Sequence, residues 1–246
     1  MSKACQDFLN EIEGSQKPIV AAIQGPCLGG GLEVAMGCHY RIAVNGMKTS
    51  VGLPEVMLGI LPGGGGTQRL PKLAGLPTSL DMALTGKSLN AKRAKKAKIV
   101  DMVVEPLGAG LAPADITTRN YLEKVATDVA RGLADGSVKK PNRGPKSTTE
   151  KITNWAFGFD QVKDYVFKTA EGKVMKQTNG LYPAPLEILK VIRTGLDKGM
   201  AKGLEAEREG FGKLCATPES AALISLFHGQ TECKKNKFGK PAKQAK

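Results

Sequence analysis

The sequence predicts an α/β core followed by a mainly helical C-terminal region. Short apolar runs rich in β-branched residues, at 18–23, 39–44 and 99–104, read as buried strands. Glycine-rich turns and helix-like text follow the first two of them. From residue 151 to about 229 the pattern is helical throughout. The chain has 246 residues and is 41% hydrophobic, enough for a sizeable core. Aromatic residues make up only 5%, so aliphatic side chains must fill that core.

In chain order, residues 1–16 read as an amphipathic helix with Phe8, Leu9 and Ile12 on its apolar face. This opening carries acids and is not Arg-rich, so it resembles neither a secretory signal nor a mitochondrial presequence. The strand at 18–23 is broken by Gln24, Gly25 and Pro26. The triple glycine 29–31 then allows a tight turn and a close backbone approach. A helix should start near Gly30, and Glu33 falls in its first turn. A carboxylate there is favoured by the helix dipole whatever its chemical role. Residues 18–37 could suggest a membrane span, but Gln24, Pro26, Glu33 and the glycines interrupt the apolar run.

The strand at 39–44 ends at Asn45-Gly46, a strong turn pair. His39 has no paired ligand at metal spacing, so it reads as structural and no metal site is expected. Pro54 suits the first position of a helix, which places Glu55 near a helix start as well. The four glycines 63–66 lack a following Gly-Lys-Ser/Thr, and no G-x-G-x-x-G occurs in the chain. They read as a turn that brings backbone close to substrate. Residues 76–84 should be helical, Asn90 should cap a helix at 91, and Lys98 should end it.

Residues 106–113 form a Gly/Pro/Ala linker and 115–134 an amphipathic helix. The stretch 136–150 is polar and basic. Trp155, Phe157, Phe159, Tyr165 and Phe167 are expected to pack between helices, and Thr217-Pro218 to start one. Residues 231–246, with six lysines and one glutamate, read as a basic flexible tail. The resulting division is 1–105 as core, 106–230 as helical and linker region, and 231–246 as tail.

The net charge is +13. The cluster Lys92, Arg93, Lys95, Lys96 and Lys98 reads first as a solvated helix face. It could also attract phosphates. Nucleic acid is disfavoured, because no aromatic residues interleave with the bases. The five cysteines form no C-x-x-C and are odd in number, which fits reduced thiols better than a disulfide framework. Cys27 beside the glycine turn reads as a small core residue.

Strand, glycine turn, amide-donating helix start and carboxylate together suggest an acid–base site beside an oxyanion hole. At this point the text resembles a known family. The stretches KPIVAAIQGPCLGGGLEVAMGC, GLPEVMLGILPGGGGTQRL and LTGKSLNAKRAKKAKIVD are similar to the enoyl-CoA hydratase/isomerase (crotonase) superfamily. Later text, NGLYPAPLEILKVI and HGQTECKKNKFG, resembles mitochondrial trifunctional enzyme α-subunits, where it links a hydratase part to a 3-hydroxyacyl-CoA dehydrogenase part.

The resemblance implies a spiral of ββα repeats lacking its first strands, and hydration of 2-enoyl-CoA to 3-hydroxyacyl-CoA. It assigns Glu33 and Glu55 as the catalytic pair, the Gly30 N–H to the thioester oxygen and the Gly63 N–H to the attacking water. Glutamate at both acid positions favours a hydratase over an isomerase. The resemblance further implies a mitochondrial location, an acyl-CoA substrate, and trimer-like contacts within a complex with a thiolase β-subunit. No NAD site is expected. The family's second oxyanion donor lies upstream of the residues present here. An alternative class follows: an impaired fragment serving in assembly or binding anionic membranes through its basic C-terminal part.

Overall fold

The computed structural model describes residues 2–142, 144 and 148–235. It contains six short strands and eleven α-helices among them. Helix α1, Ser2–Gly14, precedes strand β1, Val20–Ile23, and strand β2, Pro26–Leu28. Helix α2, Gly30–Gly37, leads to strand β3, Tyr40–Val44, and strand β4, Ser50–Gly52. A 3-10 helix, Pro54–Leu58, is followed by α3, Gly66–Ala74, and α4, Leu76–Thr85. Strand β5, Ser88–Asn90, helix α5, Ala91–Lys96, and strand β6, Met102–Val104, complete the sheets.

The strands form two small sheets. One is parallel, in the order β1-β3-β6. The other has the order β2-β4-β5, with β2 and β4 parallel and β5 antiparallel to β4. The first two repeats each give one strand to each sheet and then a helical segment, whereas in the third β5 of the second sheet and α5 precede β6 of the first. This is the spiral of ββα units that the resemblance implied. Gly25 turns the chain from the first sheet to the second with φ +92°, a conformation open to glycine. Lys98 takes φ +63° where a helix-ending glycine would be usual, so the left-handed turn survives without the glycine.

The core between the sheets and helices α2, α3 and α5 is aliphatic, with Leu32, Leu53, Met82 and Ile99 fully buried. Helix α6, Ala114–Asp135, seals the outer face of the parallel sheet, packing Leu122 and Val129 on Ile42 and Val44. Arg41 on β3 is buried within this core. Its Nη2 pairs with Asp101 Oδ2 at 3.1 Å, and its Nη1 donates to the carbonyl of Cys38 at 2.7 Å. It thereby neutralises a buried acid and caps the C-terminal end of α2.

The remaining helices are α7, Thr148–Ala156; α8, Asp160–Thr178; α9, Pro183–Lys198; α10, Met200–Cys215; and α11, Pro218–Cys233. Helices α8, α9 and α10 share an apolar core with α4. The Thr217 hydroxyl accepts from Ser220 N–H, and the Asn90 side chain accepts from Arg93 N–H, so both expected N-caps form. Helix α11 continues to Cys233, inside the stretch expected as tail; residues 236–246 lie outside the described residues, as do 143 and 145–147 of the polar segment.

Some expectations about faces fail. Phe8 points to solvent while Gln6 is fully buried, because α1 turns a polar face toward α10. Trp155, Phe159 and Tyr165 are exposed; of the five aromatics only Phe167 is buried. No helix among the described residues is long and apolar enough to cross a membrane.

Candidate active site

The start of α2 organises the site. Gly29 takes φ +56°, ψ −131° as its N-cap, a geometry that a side chain would oppose. Its carbonyl accepts from Leu32 and Glu33 N–H at 2.8 and 3.0 Å. The N–H groups of Gly30 and Gly31 precede these bonds, as first-turn donors do. A Cβ on either would meet nothing within 4 Å, so the helix start is open.

Glu33 projects from the first turn and is buried to 4% exposure. Its Oε1 accepts two backbone N–H groups, from Gly64 at 2.8 Å and Gly66 at 2.7 Å. Burial raises its pKa, while these two donors and the Arg69 charge oppose the rise. Oε1 is held by the turn; a Cβ on Gly64 would sit 2.9 Å from Oε2. The glycines are thus required for the close approach of Glu33.

Glu55 comes from the 3-10 helix, whose first position is Pro54. Its Oε1 lies 3.0 Å from where a Gly29 side chain would begin, so its carboxyl sits at the mouth of α2. Among the described residues its Oε2 is buried without a hydrogen-bond partner. Burial pushes its pKa up to about 7, and the charges of Glu33 and Glu207 add to the rise. A neutral carboxyl is the form this environment favours.

The structure therefore brings Gly30, Glu33 and Glu55 to one place. Gly63 stands just before the turn. Its carbonyl accepts from Ser2 Oγ at 2.5 Å, and a Cβ on it would strike the Phe211 ring of α10 at 2.8 Å. The turn's donors to Glu33 are Gly64 and Gly66, further along the run that sequence reading treated as a substrate-facing turn.

A third carboxyl was not foreseen. Glu207, on α10, is fully buried beside the same turn. Gly65 N–H donates to its Oε1 at 2.5 Å, Gln6 Nε2 to the same oxygen at 2.8 Å, and Thr67 N–H to Oε2 at 3.1 Å. The Thr67 hydroxyl donates to Oε2 in a short bond of 2.5 Å. Burial and the Glu33 charge push Glu207 up to about 7, opposed by these donors. A trace of it was present in sequence. Gly203, Glu207, Gly210 and Leu214 share one buried helix face. A lone acid amid small residues on a buried face is a polar group with an assigned partner.

Among the described residues, no group of three or more His, Cys, Asp or Glu side chains could hold a metal ion. What the site can do is hold two carboxyls of different proton affinity beside free helix N–H groups. That is the equipment of proton transfer next to a developing oxyanion.

An α/β spiral with an acid pair at a glycine-opened helix start defines a crotonase-type fold and site. The enoyl-CoA hydratase/isomerase family model matches residues 1–135, and the chain belongs to that family. It is similar to the fatty acid oxidation complex subunit alpha of Shewanella amazonensis, with 44% identity over 246 residues, covering 100% of this chain and 32% of the relative. The corresponding subunit of Vibrio campbellii is 44% identical over 235 residues, covering 96% of this chain and 30% of that one. The chain thus spans about a third of the length of these curated relatives.

Among solved structures, an enoyl-CoA hydratase from Mycobacterium avium subsp. paratuberculosis shares the fold, with a TM-score of 0.56 and 20% identity over 92% of this chain and 69% of that one. The curated relatives are bacterial, so the mitochondrial location implied by the resemblance finds no support in them.

Proposed function

We propose that this chain adds water across the C2–C3 double bond of a 2-enoyl-CoA, giving a 3-hydroxyacyl-CoA. The observation that carries the reading is the meeting of Glu33 and Glu55 at the open N-terminus of α2. Glu33, with Oε1 fixed by two N–H donors, is the base: its carboxylate takes a proton from water as the oxygen adds to C3. Glu55, whose surroundings favour the neutral form near pH 7, is the acid that delivers a proton to C2. The Gly30 N–H and the positive end of the α2 dipole stabilise negative charge on the thioester oxygen. Such a donor typically contributes about 3 kcal/mol at the transition state.

Water addition is redox-neutral, so the step needs no NAD. The relatives, which are named subunits of a fatty acid oxidation complex, support reading this chain as part of such a complex. In that setting the expected neighbours are further copies and a thiolase β-subunit. The Gly63 N–H, next to the Gly64 donor of Glu33, helps to place the attacking water.

The test is a hydratase assay with short- and long-chain 2-enoyl-CoA on folded wild-type protein, Glu33→Gln and Glu55→Gln. Each variant should lose about 10²- to 10⁴-fold in kcat, the usual worth of a positioned acid or base. Near-normal rates in either variant would sink the assignment of roles.

A further inference from the structure

We propose that Glu207 is a positioning residue for Glu33, clamping the 64–67 turn so that two of its N–H groups converge on Glu33 Oε1. The proposal deepens the hydration reading and rests on it for its kinetic consequence. Its geometry is independent of that reading.

Four successive N–H groups alternate between two carboxylates. Gly64 and Gly66 serve Glu33, whereas Gly65 and Thr67 serve Glu207. Neither set can be moved without disturbing the other, because each N–H is flanked by its opposite. The turn leaves no room to adjust. A Cβ on Gly64 or Gly66 would begin 2.9 or 2.8 Å from a Glu33 oxygen, and one on Gly65 would collide with Arg69. Arg69 Nη1 in turn holds the Gly64 carbonyl at 3.0 Å.

Glu207 is held from behind as firmly. Arg208 Nη1 donates to Gln6 Oε1 at 2.8 Å, which orients the amide so that Gln6 Nε2 faces Glu207. All four partners of Glu207 are donors, the set that a carboxylate needs and a carboxylic acid cannot fully use. Glu207 is wholly buried and acts through the turn, not on substrate.

Charged and titratable groups face this cluster from each packed element. They are Glu33 from α2, Glu55 from the 3-10 helix, Cys5 from α1 and Arg69 from α3, with Arg208 reaching it through Gln6. The Glu33 charge raises the proton affinity of Glu207. Protonation of Glu207 would turn one oxygen into a donor facing other donors and loosen the turn.

The experiment uses the whole chain as it stands, in wild-type, Glu207→Gln and Glu207→Asp forms, with helix content checked by circular dichroism. The Glu33 carboxyl is titrated by carbon-13 NMR, assigned with Glu33→Gln. In Glu207→Gln an amide N–H faces the Gly65 and Thr67 donors and the turn shifts, so Glu33 loses the Gly64 and Gly66 donors that hold its pKa down and should titrate higher. The same change should cut kcat at least about tenfold with KM little altered, since it disturbs a group used in the transition state. Glu207→Asp, which keeps an all-acceptor carboxylate on a shorter stem, should move the Glu33 titration upward by less, whereas a downward movement in either variant is the mark of lost charge alone and overturns the clamp.

An unchanged Glu33 titration in Glu207→Gln overturns the proposal. If that variant does not fold, Thr67→Val removes the hydroxyl that ties Glu207 to the turn and should move the Glu33 titration in the same upward direction; no movement there overturns the proposal equally. Should wild type lack hydratase activity, the functional reading fails, while the NMR titration still decides the role of Glu207.

Discussion

Glu33 on α2 and Glu207 on α10 accept hydrogen bonds from alternating N–H groups of one glycine turn, Gly64 and Gly66 for the first, Gly65 and Thr67 for the second. A helix from the C-terminal region thus completes a site that begins near the N-terminus. Helices α1 and α3 close the same cluster, through Gln6 and Arg69. The first 105 residues and the helical region are therefore one physical unit at this point. The acid pair depends on both.

Glu55 should set the alkaline limb of the pH–rate profile. Burial places its pKa near 7, so the proton that it donates is lost as pH rises through that value. The expected result is a kcat/KM that falls above about pH 7. Stability has the same sign. The folded Glu55 binds its proton more tightly than the unfolded one, whose pKa is about 4.3. Its contribution is fully present below the unfolded value and is lost as pH rises through the folded one. Wild type should therefore lose more Tm between pH 5 and 8 than Glu55→Gln does. Parallel melting curves for the two proteins across that range would contradict the placement of this carboxyl.

The Arg41–Asp101 pair should be costly to break from either side. Both groups are buried, with Arg41 at 1% and Asp101 at 6% exposure. Asp101→Ala removes the carboxylate that pairs with the buried guanidinium. Asp101 Oδ2 also accepts from the Arg41 backbone N–H at 2.9 Å, so strand β3 loses a tether. The expected loss is about 3–5 kcal/mol. Arg41→Met should cost a similar amount, because the carbonyls of Cys38 and Ile99 lose their donor at the end of α2. Urea unfolding monitored by circular dichroism measures both; a loss below about 1 kcal/mol would be inconsistent with the buried pair.

The parts of the fold that sequence disclosed are those set by local chemistry. The β-branched run before Gln24 gave β1, Asn90 and Thr217 gave their caps, and Pro54 gave the start of the helix carrying Glu55. The three-residue strands β2 and β5 were not legible, because runs that short have no periodicity to read. The acid pair was legible because its glycines lie beside it in sequence. Glu207 was not, since its partners come from the far end of the chain and only folding brings them to it. The outward Trp155 and Tyr165 mark the same limit. Hydrophobic character announces burial only on average, and the face that a helix turns inward is decided by its neighbours.

Helices α9 and α10 cross at Gly195 and Gly203, and the side chain of Gln68 fills the space between them. Gln68 is buried, with Nε2 donating to Thr67 Oγ1 at 2.9 Å and to the Val191 carbonyl at 3.3 Å. A Cβ on Gly195 would collide with the Gln68 amide, to which its three nearest heavy atoms belong. Gly195→Ala alone should destabilise by about 1–3 kcal/mol, the usual cost of forcing extra volume into a packed site. Gln68→Ala alone leaves a void and removes a donor from Thr67, with a loss of similar size. Together they should cost less than their sum, because the new methyl enters the space that the amide vacated. A coupling of about 0.5–3 kcal/mol is expected for residues in direct contact. Gly203→Ala should not be rescued in the same way, since its Cβ would also lie 2.8 Å from the Gly195 backbone. A four-member cycle of Gly195→Ala and Gln68→Ala measured by urea denaturation, with Gly203→Ala/Gln68→Ala as the comparison, separates a side-chain clash from a backbone one. Strict additivity at Gly195 would mean that Gln68 does not occupy the crossing.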